Sequence, residues 1–514
     1  MPTFEQVFTE FRGMNRRTDR LNSPTDFVYD CLNGFTLKDF KGSNLGVTFQ
    51  REGSEKFNDV QLDADYGATK KIKVLFEAKW DGGGTDIIVR AGTAWGKFDG
   101  VDTFDSIITG RADDVVGQAL MYKNELIMLD GGVPQKATAA YSVSALSSDS
   151  NMPQDATSGW VHRNKLWLNS PSTPMMAYFS KTNNANGATA WTGATDAGTL
   201  DLSTVLPEGD TILGYRTYGG RDSGLIAIIC RKYTVIYSAG ANVYDFTFVQ
   251  YFPTTCISIK AADYVGKDIV YPSTNNLTSL FSSANNDELD VKSLSHFIEP
   301  YYRQLISTVS NTDLLSGAFD KRMNFYYLNL PITNNFQTLV YSVDAGNFVG
   351  RFTYPFNIYS MLARINGDIL VGDEDGYVRK INTGSNDDGT AISFKLAMPA
   401  LYFKKPQNYK KPHTIEALIQ ATKTLTLNID YWYGLDSLSS DKITKSLIVE
   451  ASSSLWDEAL WDVAYWDTQG NEIVRTCDIL GRGRMMFIEF RQNTLDARII
   501  IPWFLVRGIM EGVN

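Results

Sequence analysis

A polar turn followed by an alternating apolar strand recurs seven times, and this recurrence constrains the fold more than any motif does. It runs as KWDGGGTDIIVRAG around Gly83, LMYKNELIMLDGG around Asn124, WVHRNKLWLNSP around Asn164 and YGGRDSGLIAIIC around Asp222. It continues as YVGKDIVYPSTN around Lys267, FDKRMNFYYLNLP around Arg322 and RINGDILVGDEDG around Gly367. Successive turns are 41, 40, 58, 45, 55 and 45 residues apart. Each interval holds three or four strands, the content of a propeller blade. A blade is apolar on both faces, so only a closed ring buries it. The expected fold is all-β: a β-propeller of six to eight blades over residues 61–384.

Residues 382–389, Asn-Thr-Gly-Ser-Asn-Asp-Asp-Gly, read as a linker. Beyond them the period is lost, and longer strands at 423–434, 483–492 and 496–509 alternate cleanly. Residues 385–514 are therefore expected to form a C-terminal β-sandwich-like domain, with 1–60 an N-terminal arm and first strands. Helical periodicity is weak. Its best candidate, residues 295–306, is interrupted by Pro300. The stretch SSLWDEALWDVAYWD places Trp456, Trp461 and Trp466 five residues apart, each followed by Asp. That spacing keeps them on one face of neither a strand nor a helix. It is also far from the one-per-blade dipeptide of Trp-Asp propellers. Tight turns, with each Asp capping backbone amides and each Trp filling an apolar slot, are the expectation.

Aromatic residues make up 12% of the chain and the formal charge is −10 without a long basic run, which argues against sequence-specific nucleic-acid binding. Cys31, Cys230, Cys256 and Cys477 show no CxxC spacing and are expected to be buried free thiols. The N-terminus lacks an apolar signal core, and no run of about 18 apolar residues suggests a membrane-spanning helix. Synthesis and folding in a cytoplasm are expected.

No constellation of reactive groups emerges. His162, His296 and His413 lie more than 100 residues apart and away from ligand spacing. Asn184 to Trp191 is near an aspartate-box turn but lacks its leading Ser and Asp. Asp373-Glu374-Asp375-Gly376 reads as a blade turn rather than a calcium loop, since Asn382 stands near the place of the bidentate Glu. Lys404, Lys405, Lys410 and Lys411 read as a solvated strand entry. Arg12, Arg16, Arg17 and Arg20 suit an exposed arm or a partner contact, and the GRGR at 481–484 a hairpin turn. No catalytic, cofactor-binding or metal residue is assigned.

Several short motifs occur in an order that resembles the tail nozzle, or tail-tube, proteins of short-tailed (podovirus-type) bacteriophages. The first are Phe11-Arg12-Gly13-Met14-Asn15, Asn33-Gly34 and Arg51-Glu52-Gly53. Next come His162-Arg163-Asn164-Lys165-Leu166-Trp167, Tyr178-Phe179-Ser180, Ala190-Trp191 and Leu200-Asp201-Leu202. Gly209-Asp210-Thr211-Ile212-Leu213-Gly214, Ser293-Leu294-Ser295, Gly372-Asp373-Glu374-Asp375-Gly376-Tyr377 and the Trp-Asp stretch complete the series. The chain departs from the pattern at Tyr271–Asn275, where a Ser-x-x-Gly turn is common, and at Phe348-Val349-Gly350, where a Trp is common. The resemblance implies a structural virion protein: a homohexameric ring below the portal and adaptor, with propellers outside and β-domains lining a channel for ejected DNA. It also implies contacts with tail fibres or spikes, a place in the virion tail, no stable membrane insertion, no cofactor and no enzymatic activity. The alternatives are a carbohydrate-binding or depolymerising propeller and a generic propeller scaffold.

Overall fold

The computed structural model describes residues 3–38, 46–113, 116–193, 196–218, 224–240, 245–282, 289–332, 336–434, 442–450 and 473–511. The Trp-Asp stretch lies outside the described residues.

Seven four-stranded antiparallel units make the propeller, the first six with their strands paired in chain order. They span residues 72–108, 118–145, 159–201, 212–252, 263–293, 316–352 and 360–381. The ring is closed by Ser54–Lys56, which pairs with Val378–Ile381 as the outermost strand of blade 7. The first strand of every blade is innermost, and first strands meet around the ring, with Ser360–Ala363 of blade 7 meeting Ile72–Lys79 of blade 1; between blades 4 and 5, Ile212–Tyr218 meets the second strand, Asp268–Pro272. Each recurring turn of the sequence lies between the first and second strands of one blade. Several of these turns need a left-handed residue, and Gly or Asn supplies it: Gly83 at φ 87°, Asn124 at 59°, Asn164 at 61° and Gly367 at 91°. The turn around Asp222 lies outside the described residues, but Tyr218 pairs with Leu225 on either side of it.

The two-residue strand period sends alternate side chains to opposite neighbours. In blade 2, Leu126 and Met128 pack with Val74 and Trp95 of blade 1, while Ile127 and Leu129 pack with Leu166 and Leu168 of blade 3. The same interdigitation joins blades 7 and 1 through Leu370, Val378, Leu75 and Val89. Every blade thus covers apolar surface on both sides.

The sandwich does not belong to residues 385–514 alone. One sheet has the order Gly34–Lys38, Gly46–Gln50, Ile499–Met510, Lys410–Ala421, Ile473–Asp478, with Thr3–Phe8 also pairing with Ile499–Met510. The facing sheet has nine strands. It begins as blade 6, passes through Asp30–Leu32, and continues into Phe394–Ala397, Met486–Gln492, Leu425–Tyr433 and Ile443–Val449. Blade 6 and half of the sandwich are therefore one sheet. Between the sheets, Phe8 stacks on Phe504 at 4.6 Å, and Phe490 meets Phe504 edge-on at 5.1 Å. Residues 1–60 are thus divided among the sandwich sheets and blade 7. The turn at 481–484 is no hairpin, because the strands on either side of it lie in different sheets.

Residues 382–389 connect propeller to sandwich but do not run free: they are tied to the body at Asp387, their one buried residue. Arg51 and Asp387 are 1% and 2% exposed. All five Arg51 N–H donors are used: Nε to Asn33 Oδ1 at 3.1 Å, the terminal nitrogens to Glu52 O at 2.8 Å and Thr353 O at 2.7 Å, and both to the Asp387 carboxylate. Ser54 donates to the same carboxylate at 2.9 Å. A Cβ on Gly53 would stand 1.8 Å from Asn386 O, so only glycine permits this approach.

The one α-helix among the described residues is Glu299–Ser307, with Pro300 in its first turn. Proline starts this helix because a first-turn N–H has no intrahelical acceptor to lose.

Asp387→Ala strands a buried guanidinium, and a loss of about 3–5 kcal/mol in unfolding free energy is expected from urea titration. A loss below about 1 kcal/mol would show that the joint is dispensable.

Candidate functional site

The inner strands and entry turns of the seven blades enclose a cavity of about 760 Å³ on the propeller axis. Its mouth carries the exposed residues Pro171, Arg231 and Asp313. Deeper in lie Arg216, on the inner strand Ile212–Tyr218, and Lys260, on the short turn Ile259–Ala261 that leads into blade 5. Arg216 rests against the Trp160 ring at 4.7 Å and donates to Tyr215 O at 2.8 Å, Ile259 O at 3.2 Å and Ala262 O at 2.8 Å. Lys260 reaches across to the far side, donating to Lys73 O of blade 1 at 2.7 Å and to Tyr359 O, beside blade 7, at 3.2 Å. One side chain thereby ties three sectors of the ring. Burial lowers the Lys260 ammonium to about 7, with Asp313 opposing and Lys73 and Arg90 reinforcing the shift.

None of these residues was singled out in the sequence. The available signal was a cation within an otherwise apolar or neutral first strand or its lead-in, as in ILGYRTY and CISIKAA. Such positions acquire meaning only once the first strand of each blade is known to line the axis.

The histidines stay apart. His162 is buried in blade 3 beside Thr217 Oγ1 at 3.1 Å, and burial pushes it down to about 4. His296 is exposed beside Arg17, and His413 is exposed on the strand Lys410–Ala421. Cys31, Cys230, Cys256 and Cys477 are buried free thiols. Among the described residues no three His, Cys, Asp or Glu side chains form a cluster suited to a metal.

Asn184 to Trp191 is a turn whose Asn184 Oδ1 accepts from the amides of Asn186 and Gly187, both at 3.2 Å, while buried Trp191 donates to Ala185 O at 3.0 Å. Asp373 makes the blade 7 turn: Oδ1 accepts from the amides of Asp375 at 3.0 Å and Tyr377 at 2.7 Å, and Oδ2 accepts from Arg379 at 2.8 Å.

The two basic groups divide. Lys404, Lys405 and Lys411 are exposed, but Lys410 is buried, donates to Arg484 O at 2.7 Å, and is pulled down to about 8 by burial. Arg12 and Arg17 are exposed. Arg16 lies over the Tyr301 ring at 3.6 Å, and Arg20 donates to Met398 O at 2.8 Å and Glu489 at 3.0 Å. Arg17, though exposed, contacts His296 and donates its amide to Phe297 O at 2.8 Å, so three of the four arginines of the expected arm are bound to the body of the protein.

No family model and no curated protein matches the chain. Among solved structures, the extracellular domain of the putative hybrid two component system BT4673 from B. thetaiotaomicron aligns with 13% identity and a TM-score of 0.41. That alignment covers 64% of this chain and 39% of that one. The Neurospora crassa Pan2 WD40 domain aligns with 10% identity and a TM-score of 0.37, over 65% of this chain and 95% of that one. The WD40 beta propeller domain of Doa1 gives 10% identity and a TM-score of 0.38, over 65% and 96%. The propeller assignment rests on the chain's own sheet topology.

Lys260 makes stability depend on pH. The native ammonium loses its proton near pH 7, whereas an unfolded lysine holds it to about 10.5. Across that window the unfolded chain binds more protons, so stability rises with pH. The difference in unfolding free energy between wild type and Lys260→Met should therefore grow from pH 7 to pH 10. Parallel pH profiles for the two proteins count against this.

Proposed function

We propose that this chain is a structural subunit of the tail conduit of a short-tailed bacteriophage, assembling into a ring through which DNA leaves the particle. The observation that carries the reading is where the resemblance motifs meet. Gly13, Met14, Asn33, Arg51 and Gly53 come from three separate N-terminal motifs, and all lie at the junction of propeller and sandwich. Met14 N donates to Phe348 O of blade 6 at 2.7 Å, and Asn347 donates to Met14 O at 3.2 Å. Asn33 donates to Ser393 O at 2.9 Å and accepts from Arg51. A conduit subunit has to hold its two β units in fixed register while DNA passes, and a shared sheet locked by buried polar contacts supplies that rigidity.

The sandwich also offers a surface for a second copy. Ile443–Val449 and Ile473–Asp478 end their respective sheets among the described residues, and they lie close together. Ile448 on the first is 65% exposed and Val474 on the second 51%, and Leu480, just after the second, is 70% exposed. Apolar edge strands of this kind invite pairing with another chain. In the proposed ring, the neighbouring subunit covers them. The subunit has no enzymatic role in this reading, and its partners are copies of itself, the adaptor and the tail fibres or spikes. The net charge of −10 suits a sleeve that lets DNA slide, since each phosphate neutralised by a basic side chain would hold it.

Mass photometry and negative-stain microscopy of the purified protein, alone and with its adaptor, should show rings with a central channel. Ile448→Lys with Leu480→Lys should leave a folded monomer that forms no ring. A wild-type protein that stays monomeric with its adaptor and binds or cleaves polysaccharide would replace this reading with a glycan-directed one.

A further inference from the structure

Elsewhere in the molecule, arginines removed from solvent are matched by carboxylates. Arg51 pairs with Asp387, Arg111 with Asp130, Arg351 with Asp30 and Arg379 with Asp373. The axial cavity breaks this habit. Arg216 and Lys260 donate only to main-chain carbonyls, and neither they nor Arg231 form an ion pair among the described residues. Of the charged residues lining the cavity, three are cationic and one, Asp313, is acidic, in a chain whose net charge is −10. An unpaired cation held away from water is costly.

A second observation points to the same place. Ser316 lines the cavity at 1% exposure, and its Oγ has no hydrogen-bond partner. Buried hydroxyls are nearly always satisfied, and this one lines the same cavity as the unpaired cations, a space large enough for a small molecule. The remaining wall sets apolar side chains, among them Phe76, Met121, Leu213 and Met361, beside neutral polar ones such as Gln118, Asn169 and Ser360.

We propose that the axial cavity of the propeller binds a small organic anion, its carboxylate or phosphate held by Arg216, Arg231, Lys260 and Ser316 and its apolar body against the Phe76, Met121 and Met361 side. The anion supplies the countercharge that the fold provides for its other sequestered arginines. Arg216 and Trp160 form a stacked pair at the wall, and the Arg231 end of the cavity gives entry. This assignment is independent of the conduit reading and holds whether or not the chain forms rings.

The test uses the full chain with benzoate, phenyl phosphate, glucuronate and inorganic phosphate at constant ionic strength, followed by isothermal titration calorimetry and thermal shift. Benzamide serves as the uncharged control. At least one organic anion should bind one-to-one and raise Tm, benzoate and phenyl phosphate should compete where both bind, and benzamide should not bind. Saturation by inorganic phosphate as tight as by phenyl phosphate would overturn the role given to the apolar wall. Arg231→Gln, at the exposed mouth, and Ser316→Ala, which removes one oxygen, should each fold and weaken binding about 10-fold. Failure of every organic anion to bind at millimolar concentration overturns the proposal, as does binding unaffected by both substitutions.

Discussion

The ion pair between Arg51 and Asp387 holds together segments that no other contact unites so directly. Its hydrogen bonds reach Asn33, between the two sandwich sheets; Thr353, at the end of blade 6; and Ser54, which begins the closing strand of blade 7. Asp387 itself lies on the segment leading from propeller to sandwich. Two charges this deeply buried are tolerable only because every donor is satisfied. Given that, their geometry fixes the ring closure and the angle between the two β units together. Asp30 and Arg351 add a second tie one strand away, at 2.7 and 2.8 Å.

Much of the propeller was legible because its turns have backbone demands that few residues meet. Asn124, Asn164 and Gly367 mark blade positions in the sequence for the same reason that they adopt positive φ in the structure. The alternation of KLWL and ELIML was equally plain, since both faces of a blade are buried. What could not be read was pairing over long separations. Thr3 opposes Ile509 and Ser54 opposes Ile381, and nothing local in TFEQVF or SEK names such partners. The segment 382–389 misled for a different reason. Asn, Asp, Ser and Gly compose both free loops and loops pinned by one buried carboxylate, and only the partner Arg51, more than 300 residues away, separates the two.

The cavity was invisible for a related reason. Arg216 and Lys260 look like ordinary surface cations in sequence, and their position on the axis follows from which strand of each blade is innermost. That order is a property of the closed ring. The propeller and the sandwich thus have unlike origins of specificity: repeated local turns define the one, and distant chain ends meeting in one core define the other.

The strand Thr3–Phe8 is completed by Ile499–Met510, and the seventh blade by Ser54–Lys56. During synthesis the first of these strands emerges some 500 residues before its partner. Blades 1 to 5 can organise as they appear, but Phe4, Phe8 and Phe11 stay uncovered until the last strand is released. Loop closure over such a span is slow and leaves apolar edges open meanwhile. The topology therefore sets the order of events at the ribosome: the ring begins to assemble early, and the weld that makes the molecule a single body comes last.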